Sequence, residues 1–449
     1  MWVPKLETDL TKHDAIVRAL KKSIENGELL AGDRLPAQRQ LAYALGVNLS
    51  TVTRAFTEAT QQGLLQGEIG RGTFISPSSK SAQLFARNAS CRDMLDLSKI
   101  SPPEIDHDSL RRLLLECAET GKDLFGYAMP EQIRLACNAA RDWLAWRGYD
   151  LAGGEVALTA GAQAALQAVL GNVMGPGQTL LTEEFTFPGL RTIAQSMGLR
   201  LQGVACDQQG LRPDDLAAVC KRVKAKTLVI TPNIQNPTGT IMGASRRARI
   251  AELVAEFGLT VVEDDVYGSY SGMPPFVSAL PRGHILISSL SKCLSPALRF
   301  GFVAGQHPAV SSLQANPALT SWLTSPLPLI MTTQMIRNKD AMRIADRQSQ
   351  IVRARWAVLR RIFPNIQAHP ATHLWLEVEN EGQFIQKARD AGIEVVASDH
   401  FATSRTERNY IRCSLTSVRS IAELAHGFDT LKQLGARVPG NAPGESVSG

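Results

Sequence analysis

Lys292 closes the run Ser289-Leu290-Ser291-Lys292, and Arg299 follows seven residues later. An amine attacks an aldehyde only after losing its proton, and partial burial behind the apolar Ile285-Leu286-Ile287 favours that neutral form. The two flanking hydroxyls and the later guanidinium suit an anion next to the amine. The chemistry open to this spacing is therefore a Schiff base formed beside a phosphate anchor. A lysine at a strand end is more often a solvated cap, so the tetrapeptide takes its meaning from what lies upstream.

Val261-Val262-Glu263-Asp264-Asp265-Val266-Tyr267 reads as a β-branched strand running into a carboxylate, with a phenol three positions on. A buried Asp264 can keep a pyridine nitrogen protonated, and Tyr267 can bond an oxygen on the same ring. The strand Thr227-Leu228-Val229-Ile230-Thr231 precedes Asn236-Pro237-Thr238-Gly239, a turn that can turn one amide toward a ligand. Earlier, Val156-Ala157-Leu158-Thr159 enters Ala160-Gly161-Ala162-Gln163, a strand, a glycine turn and a helix start whose free N–H groups suit a phosphate. Each piece has a plainer reading: Asp264 as a helix cap, Asn236 as an ordinary turn residue, Gly161 as a tight connection. In this order they compose a site for pyridoxal phosphate.

From about Leu97 to Leu434 the sequence resembles the aspartate aminotransferase superfamily, the fold-type I pyridoxal phosphate enzymes. The resemblance implies that Lys292 is the aldimine lysine, Asp264 the partner of the pyridine nitrogen, and Tyr267 and Asn236 the partners of the ring O3′. It implies phosphate contacts from Arg299 and from the groups around Gly161, Ala162 and Gln163, with Ser289 and Ser291 beside the lysine. Phe187 falls where the family stacks an aromatic on the ring, although a core phenylalanine is the alternative. Arg412, in Tyr410-Ile411-Arg412-Cys413-Ser414, matches the arginine that clamps a substrate carboxylate. Tyr127 matches a tyrosine that reaches the neighbouring subunit's phosphate, which implies a homodimer. The chain departs from the family at Glu131-Gln132-Ile133, at Ala297 in the lysine motif, and at Thr372-His373, where a glycine pair usually precedes the next strand.

These groups need strands to hold them. Apolar runs at 156–159, 179–182, 227–231, 260–264, 284–288 and 299–304 alternate with helical stretches, which predicts a mostly parallel sheet covered by helices. A smaller C-terminal lobe is expected after a helical pattern over Arg343–Ile362, with strands near Leu374–Val378, Ile393–Val396 and Tyr410–Leu415.

The beginning of the chain carries a different pattern. Ile16, Val17, Leu20 and Ile24 form a helical stripe over His13–Asn26. A polar turn from Gly32 leads through Arg34-Leu35-Pro36-Ala37-Gln38-Arg39 into a second helix that Gly46 closes, and Asn48 and Ser50 can cap a third helix reaching about Thr60. That is a helix-turn-helix, and Leu64 to Ile75 adds a glycine-tipped hairpin, a wing. The segment from about 10 to 77 resembles the winged helix of the GntR transcription factors through its Leu-Pro-Ala-x-Arg-x-Leu-Ala run and its Gly-x-Gly-x-Phe wing. The resemblance implies DNA contacts from Arg34, Arg39, Ser50, Thr51, Thr53 and Gly72, with Arg54 and Arg71 as phosphate partners. Leu49 stands where many members have an arginine.

Composition permits this division without choosing it. The 449 residues exceed one ordinary core, and the net charge of +6 allows nucleic-acid contact. Residues 1–77 are near neutral, with nine Lys/Arg against eight Asp/Glu. The seven cysteines lack metal-ligand spacing, which predicts no metal site and a reducing cytoplasm, with Cys293 as packing. No apolar run is long enough to span a membrane. The expected class is α/β: a winged helix-turn-helix (1–77), a polar linker (78–92), a fold-type I pyridoxal phosphate domain (93–436) and a disordered tail (437–449).

The fusion resembles the MocR group of GntR regulators. It implies a cytoplasmic, homodimeric transcription regulator that binds a double-stranded DNA operator and carries pyridoxal phosphate on Lys292. Its effector would be the cofactor itself or an amine or amino acid. The competing expectation is a working aminotransferase with a fused DNA-binding domain, since Lys292 can also act as the general base of a proton shift.

Overall fold

The computed structural model describes residues 2–7, 10–25, 28–29, 33–62, 64–68, 72–76, 94–119, 124–320, 324–404 and 408–439. The expected linker over 78–92, residue Arg71 and most of the expected tail lie outside the described residues. The chain divides into two compact units, Met1–Met94 with Asn380–Gly392, and Leu95–Glu379 with Ile393–Gly449.

In the first unit, α1 spans Lys12–Glu25, α2 Gln38–Leu45 and α3 Leu49–Gln61, and strands β1 (Leu65–Glu68) and β2 (Gly72–Ile75) pair antiparallel. The stripe of α1 buries Ile16, Val17, Leu20 and Ile24 against Leu41 of α2, Val52, Ala55, Phe56 and Ala59 of α3, and Leu65 and Ile75 of the hairpin. Each such side chain contributes roughly 1.5–3 kcal/mol when fully removed from water, enough to hold three short helices that would not persist alone. Gly46 ends α2 at φ 60, a left-handed conformation that lets the chain reverse into α3. Asn48 takes the N-cap position of α3 without a side-chain bond, and Ser50 lies inside the first turn, so neither caps through its side chain as expected.

In the second unit, seven strands form one sheet in the order β4 (Glu155–Thr159), β12 (Gly301–Gly305), β11 (Ile285–Ser289), β10 (Thr260–Asp264), β9 (Ala225–Ile230), β5 (Thr179–Glu183), β6 (Arg200–Val204). All run the same way except β12, which is antiparallel to both of its neighbours. The helices Ala162–Val173, Pro188–Ser196 and Pro308–Ala315 bury Leu166, Val169, Ile193 and Val310 in one core with Val229, Val262, Ile287 and Val303 of the sheet. Strand β6 was not anticipated: it is an edge strand, and its first four residues stay partly or fully exposed, so it lacks the apolar run that marks a central strand.

The smaller lobe follows the long helix Asp340–Ile362. Its sheet has the order β13 (His373–Glu377), β16 (Tyr410–Ser414), β15 (Val396–Ala397), all antiparallel. The single strand expected over Ile393–Val396 is divided: Ile393–Glu394 (β14) pairs with Leu95–Asp96 (β3), and β15 pairs with β16. A continuous apolar run cannot reveal that it serves two sheets.

Candidate functional site

Parallel β9, β10 and β11 end on one edge of the sheet, and each delivers a polar group just beyond its end. Asp264 is the last residue of β10, in register with Ile287 of β11. At the end of β11, the Ser289 hydroxyl accepts from the Ser291 amide at 3.3 Å and donates to the Phe300 carbonyl at 2.9 Å. The two serine hydroxyls also lie 3.0 Å apart. This turn carries Lys292 away from the strand, and its Nζ donates to the Ile100 carbonyl at 2.7 Å.

Burial, and then the positive charges of Arg412 and Arg299, lower the Lys292 pKa to about 8, against the opposing pull of Asp264. Arg412, Arg299 and Asp264 therefore all act on Lys292. Asp264 itself is raised to about 6 by burial, although the Val266 amide donates to its Oδ1 at 3.1 Å. A carboxyl so weakly satisfied suits a cationic ring N–H. Tyr267 is buried and its phenol is pushed up by burial against the pull of Arg412, so it remains a neutral donor.

Arg412 is buried in the middle strand of the small sheet. Its Nη1 donates to Asn236 Oδ1 at 2.9 Å and its Nη2 to the Ser98 carbonyl at 2.5 Å, while the guanidinium lies 4.9 Å from the Phe401 ring centroid. The buried Nε has no hydrogen-bond partner among the described residues. A fork with a spare buried donor fits a carboxylate. With Asn236 Oδ1 committed to Arg412, the Asn236 amide nitrogen is the group left to face a ring oxygen.

At the other end of the space, Gly161 caps the helix Ala162–Val173 at φ +94. A Cβ there would fall 2.8 Å from Arg299 Nη2, which donates to the Ala160 carbonyl at 2.7 Å. Only glycine lets this guanidinium lie over the helix entrance, where free N–H groups and a fixed cation make an anion cradle. Gln163 joins it through Nε2 to the Gly189 carbonyl at 3.5 Å, and a Cβ on Gly189 would meet both Gln163 and the Phe187 ring. Gly161, Ala162, Gln163, Phe187 and Arg299 thus converge, and the groups present fit a phosphorylated pyridine aldehyde. Tyr127 does not join them within this chain: it is 74% exposed, beside exposed Phe125 and Met129.

Sequence reasoning missed several neighbours. Ser98 and Ile100 act through backbone carbonyls, which leave no residue-type signal. Gln235 fixes the Asn236 loop by donating to the Phe185 carbonyl at 2.7 Å and accepting from the Thr238 amide at 2.9 Å. His373 packs its ring edge toward Tyr267, with centroids 5.7 Å apart, while Nε2 meets the Gln235 carbonyl at 2.9 Å. Its position was visible only as a departure from a glycine pair.

In the head, α3 exposes Ser50, Thr53 and Arg54, and Thr51 is half-buried. Arg39 on α2 is exposed, as is Arg34, whose residue bridges to Phe74 and whose guanidinium leans on Gly72.

Residues 95–430 match the model of aminotransferase class I and II, and residues 12–75 match that of the bacterial regulatory proteins of the gntR family. The second match implies DNA binding and the first implies pyridoxal phosphate. The HTH-type transcriptional regulator YdeF of Bacillus subtilis is 26% identical over 96% of this chain and 96% of its own length. The vitamin B6 salvage pathway transcriptional repressor PtsJ of Salmonella typhimurium is 29% identical over 67% of this chain and 69% of its own. Among solved structures, the multiple substrate aminotransferase of Thermococcus profundus superimposes with a TM-score of 0.71 at 19% identity, covering 79% of this chain and 94% of that one. The α-aminoadipate aminotransferase LysN of Thermus thermophilus gives 0.70 at 21%, covering 84% and 97%. These two likenesses concern the fold. Among the described residues no helix is long and apolar enough to cross a membrane.

Proposed function

Because the chain belongs to the aminotransferase class I and II family and carries a gntR-type head, we propose that it is a transcription regulator whose large domain holds pyridoxal phosphate through Lys292 and senses that cofactor or an amine or amino acid. The observation that carries this reading is the grouping of Lys292, at a pKa of about 8, with Asp264, Arg299 and Arg412. Gly161, Ala162, Gln163 and Arg299 would take the phosphate, Asp264 the ring nitrogen, Asn236 and Tyr267 the ring oxygen, and Phe187 a ring face. When bound, the cofactor supplies an aldehyde that exchanges amines and a ring that withdraws electrons.

The chain's own residues do the rest. Lys292 offers a neutral amine in about one molecule in ten at pH 7, far more than a solvated lysine, Asp264 holds a proton on the ring nitrogen, and Arg412 orients a carboxylate with its spare Nε. A ligand that prefers one arrangement of this space shifts the conformational balance and with it DNA affinity. PtsJ is named a repressor of the vitamin B6 salvage pathway, which supports the cofactor itself as one effector. The exposed Tyr127, Phe125 and Met129 favour a homodimer in which Tyr127 meets the second copy. A head over 1–77, a linker over 78–92 and a body over 93–436 divide the labour, and the protein would act in the cytoplasm.

The test is fluorescence anisotropy on tiled DNA from upstream of the gene, with and without pyridoxal phosphate, alongside borohydride trapping and peptide mass at Lys292. Tight binding to one segment that changes with the cofactor supports the regulator; a Lys292→Ala variant with the same response refutes the covalent role. The second reading, an active aminotransferase, rests on the presence of Lys292, Asp264 and Arg412 together, and multiple turnovers with an amino donor would decide for it.

A further inference from the structure

The outer face of α3 has spent much of its hydrogen-bonding capacity inside the head. Its exposed residues include Leu49, Ser50, Thr53, Arg54 and Thr57, while Val52, Ala55, Phe56 and Ala59 are buried. Thr53 Oγ1 donates to Gln38 Oε1 of α2 at 2.7 Å, and Thr57 Oγ1 donates to the Thr53 carbonyl at 2.9 Å. A hydroxyl carries one proton, so neither threonine keeps a donor for a partner outside the head. What each retains for the outside is its methyl group and an acceptor oxygen, which meets no donor on a guanine N7/O6 edge. Leu49, the first residue of the helix, adds a large aliphatic side chain that is 41% exposed.

The strip of Leu49, Thr53 and Thr57 on this helix, with no donor left, is a poor match for a guanine edge, which calls for a donor such as arginine. The major-groove feature that rewards an aliphatic contact is the C5-methyl group of a pyrimidine, which in unmodified DNA means thymine. We infer that α3 reads thymine methyl groups, with Leu49 seated on the methyl of a thymine at one fixed position of the bound site and the Thr53 methyl beside it. This inference rests on the DNA-binding reading of the head and adds the base class that the helix selects.

Duplexes preferred by the full-length protein can be selected from a randomised pool at fixed salt. Each thymine of the selected site is then replaced singly by deoxyuridine, which removes one methyl group and leaves base pairing intact. One replacement should weaken binding about four-fold, the worth of one buried methyl-sized group. Leu49→Ala should weaken the thymine duplex by a similar factor, lose the thymine-uracil difference at that position, and leave the salt dependence unchanged because no phosphate contact is involved. With cytosine placed there, 5-methylcytosine should bind better than cytosine, separating the methyl group from the A·T pair. Sequence-selective binding that ignores uracil at every position overturns the inference alone. Binding with no sequence preference overturns the DNA-binding reading together with it.

Discussion

The proton on Lys292 should govern how fast the protein takes up pyridoxal phosphate. With a pKa of about 8 in place of the ordinary 10.5, the neutral amine amounts to about one molecule in four at pH 7.5. A solvated lysine would be neutral in about one molecule in a thousand at the same pH. Only the neutral form attacks, so the uptake rate should rise about 25-fold between pH 6.5 and 8.5 and flatten above that. Two variants give the sign. Asp264→Asn removes the carboxylate that raises the lysine's pKa, which moves the midpoint down; Arg412→Leu removes a positive neighbour that lowers it, which moves the midpoint up. Stopped-flow absorbance after mixing cofactor-free protein with pyridoxal phosphate reads the rate, and borohydride trapping identifies the residue. A midpoint near pH 10, or variants that move it in the same direction, would refute the reasoning.

Lys292 should also be a stability defect in the cofactor-free protein. Its folded pKa lies below the unfolded one, so the unfolded chain binds more protons between pH 8 and 10.5 and this group's contribution to stability rises across that window. Lys292→Met should therefore be more stable at pH 7 by at most about 3 kcal/mol, less the lost bond to the Ile100 carbonyl, with the gain gone by pH 10.5 in urea titrations. Gly161→Ala places a Cβ against Arg299 at φ +94, which should cost roughly 1–3 kcal/mol. Its affinity for pyridoxal phosphate should fall about tenfold or more while that for unphosphorylated pyridoxal is spared, read by competition. His373, held at a pKa of about 3 by burial, should carry no charge in the folded protein, so below pH 6.5 only the unfolded chain takes up its proton; His373→Ala should lower the melting temperature by a constant amount from pH 7 to 9, with the stability loss shrinking by roughly 2 kcal/mol on going down to pH 5.

What was legible in the sequence follows from where the physics writes its signal. Asp264, Asn236 and Lys292 could be located because each stands just past an apolar run, and the sheet puts such ends on one edge. Gly161 and Arg299 could be named, but not the reason for the glycine, which is a close approach between residues far apart in the chain. The reversal of β12 was not legible, since strand direction leaves no trace in a short, wholly buried run such as Gly301–Gly305. Ser98 and Ile100 were invisible because any residue offers a carbonyl. Arg412 was named through family resemblance, while its sharing of Asn236 Oδ1 needed three dimensions.

The clearest departure from the family is His373, which packs against Tyr267. Its Nε2 lies 2.9 Å from a carbonyl oxygen and so must donate, which makes Nδ1 the acceptor for the Thr372 hydroxyl at 3.0 Å. A neutral ring fixed at both nitrogens adds volume and stiffness where a glycine would leave room, and it braces Tyr267 edge-on without adding charge. Its effect on a ligand would thus be one of shape, while Arg412 with its unpartnered Nε would supply the attraction for a carboxylate. Sensing needs a difference in affinity between two states of the protein, whereas turnover needs room for the substrate to reorient and leave. A rigid wall beside such a clamp and lysine would meet the first demand more directly than the second, which favours the regulator over the enzyme.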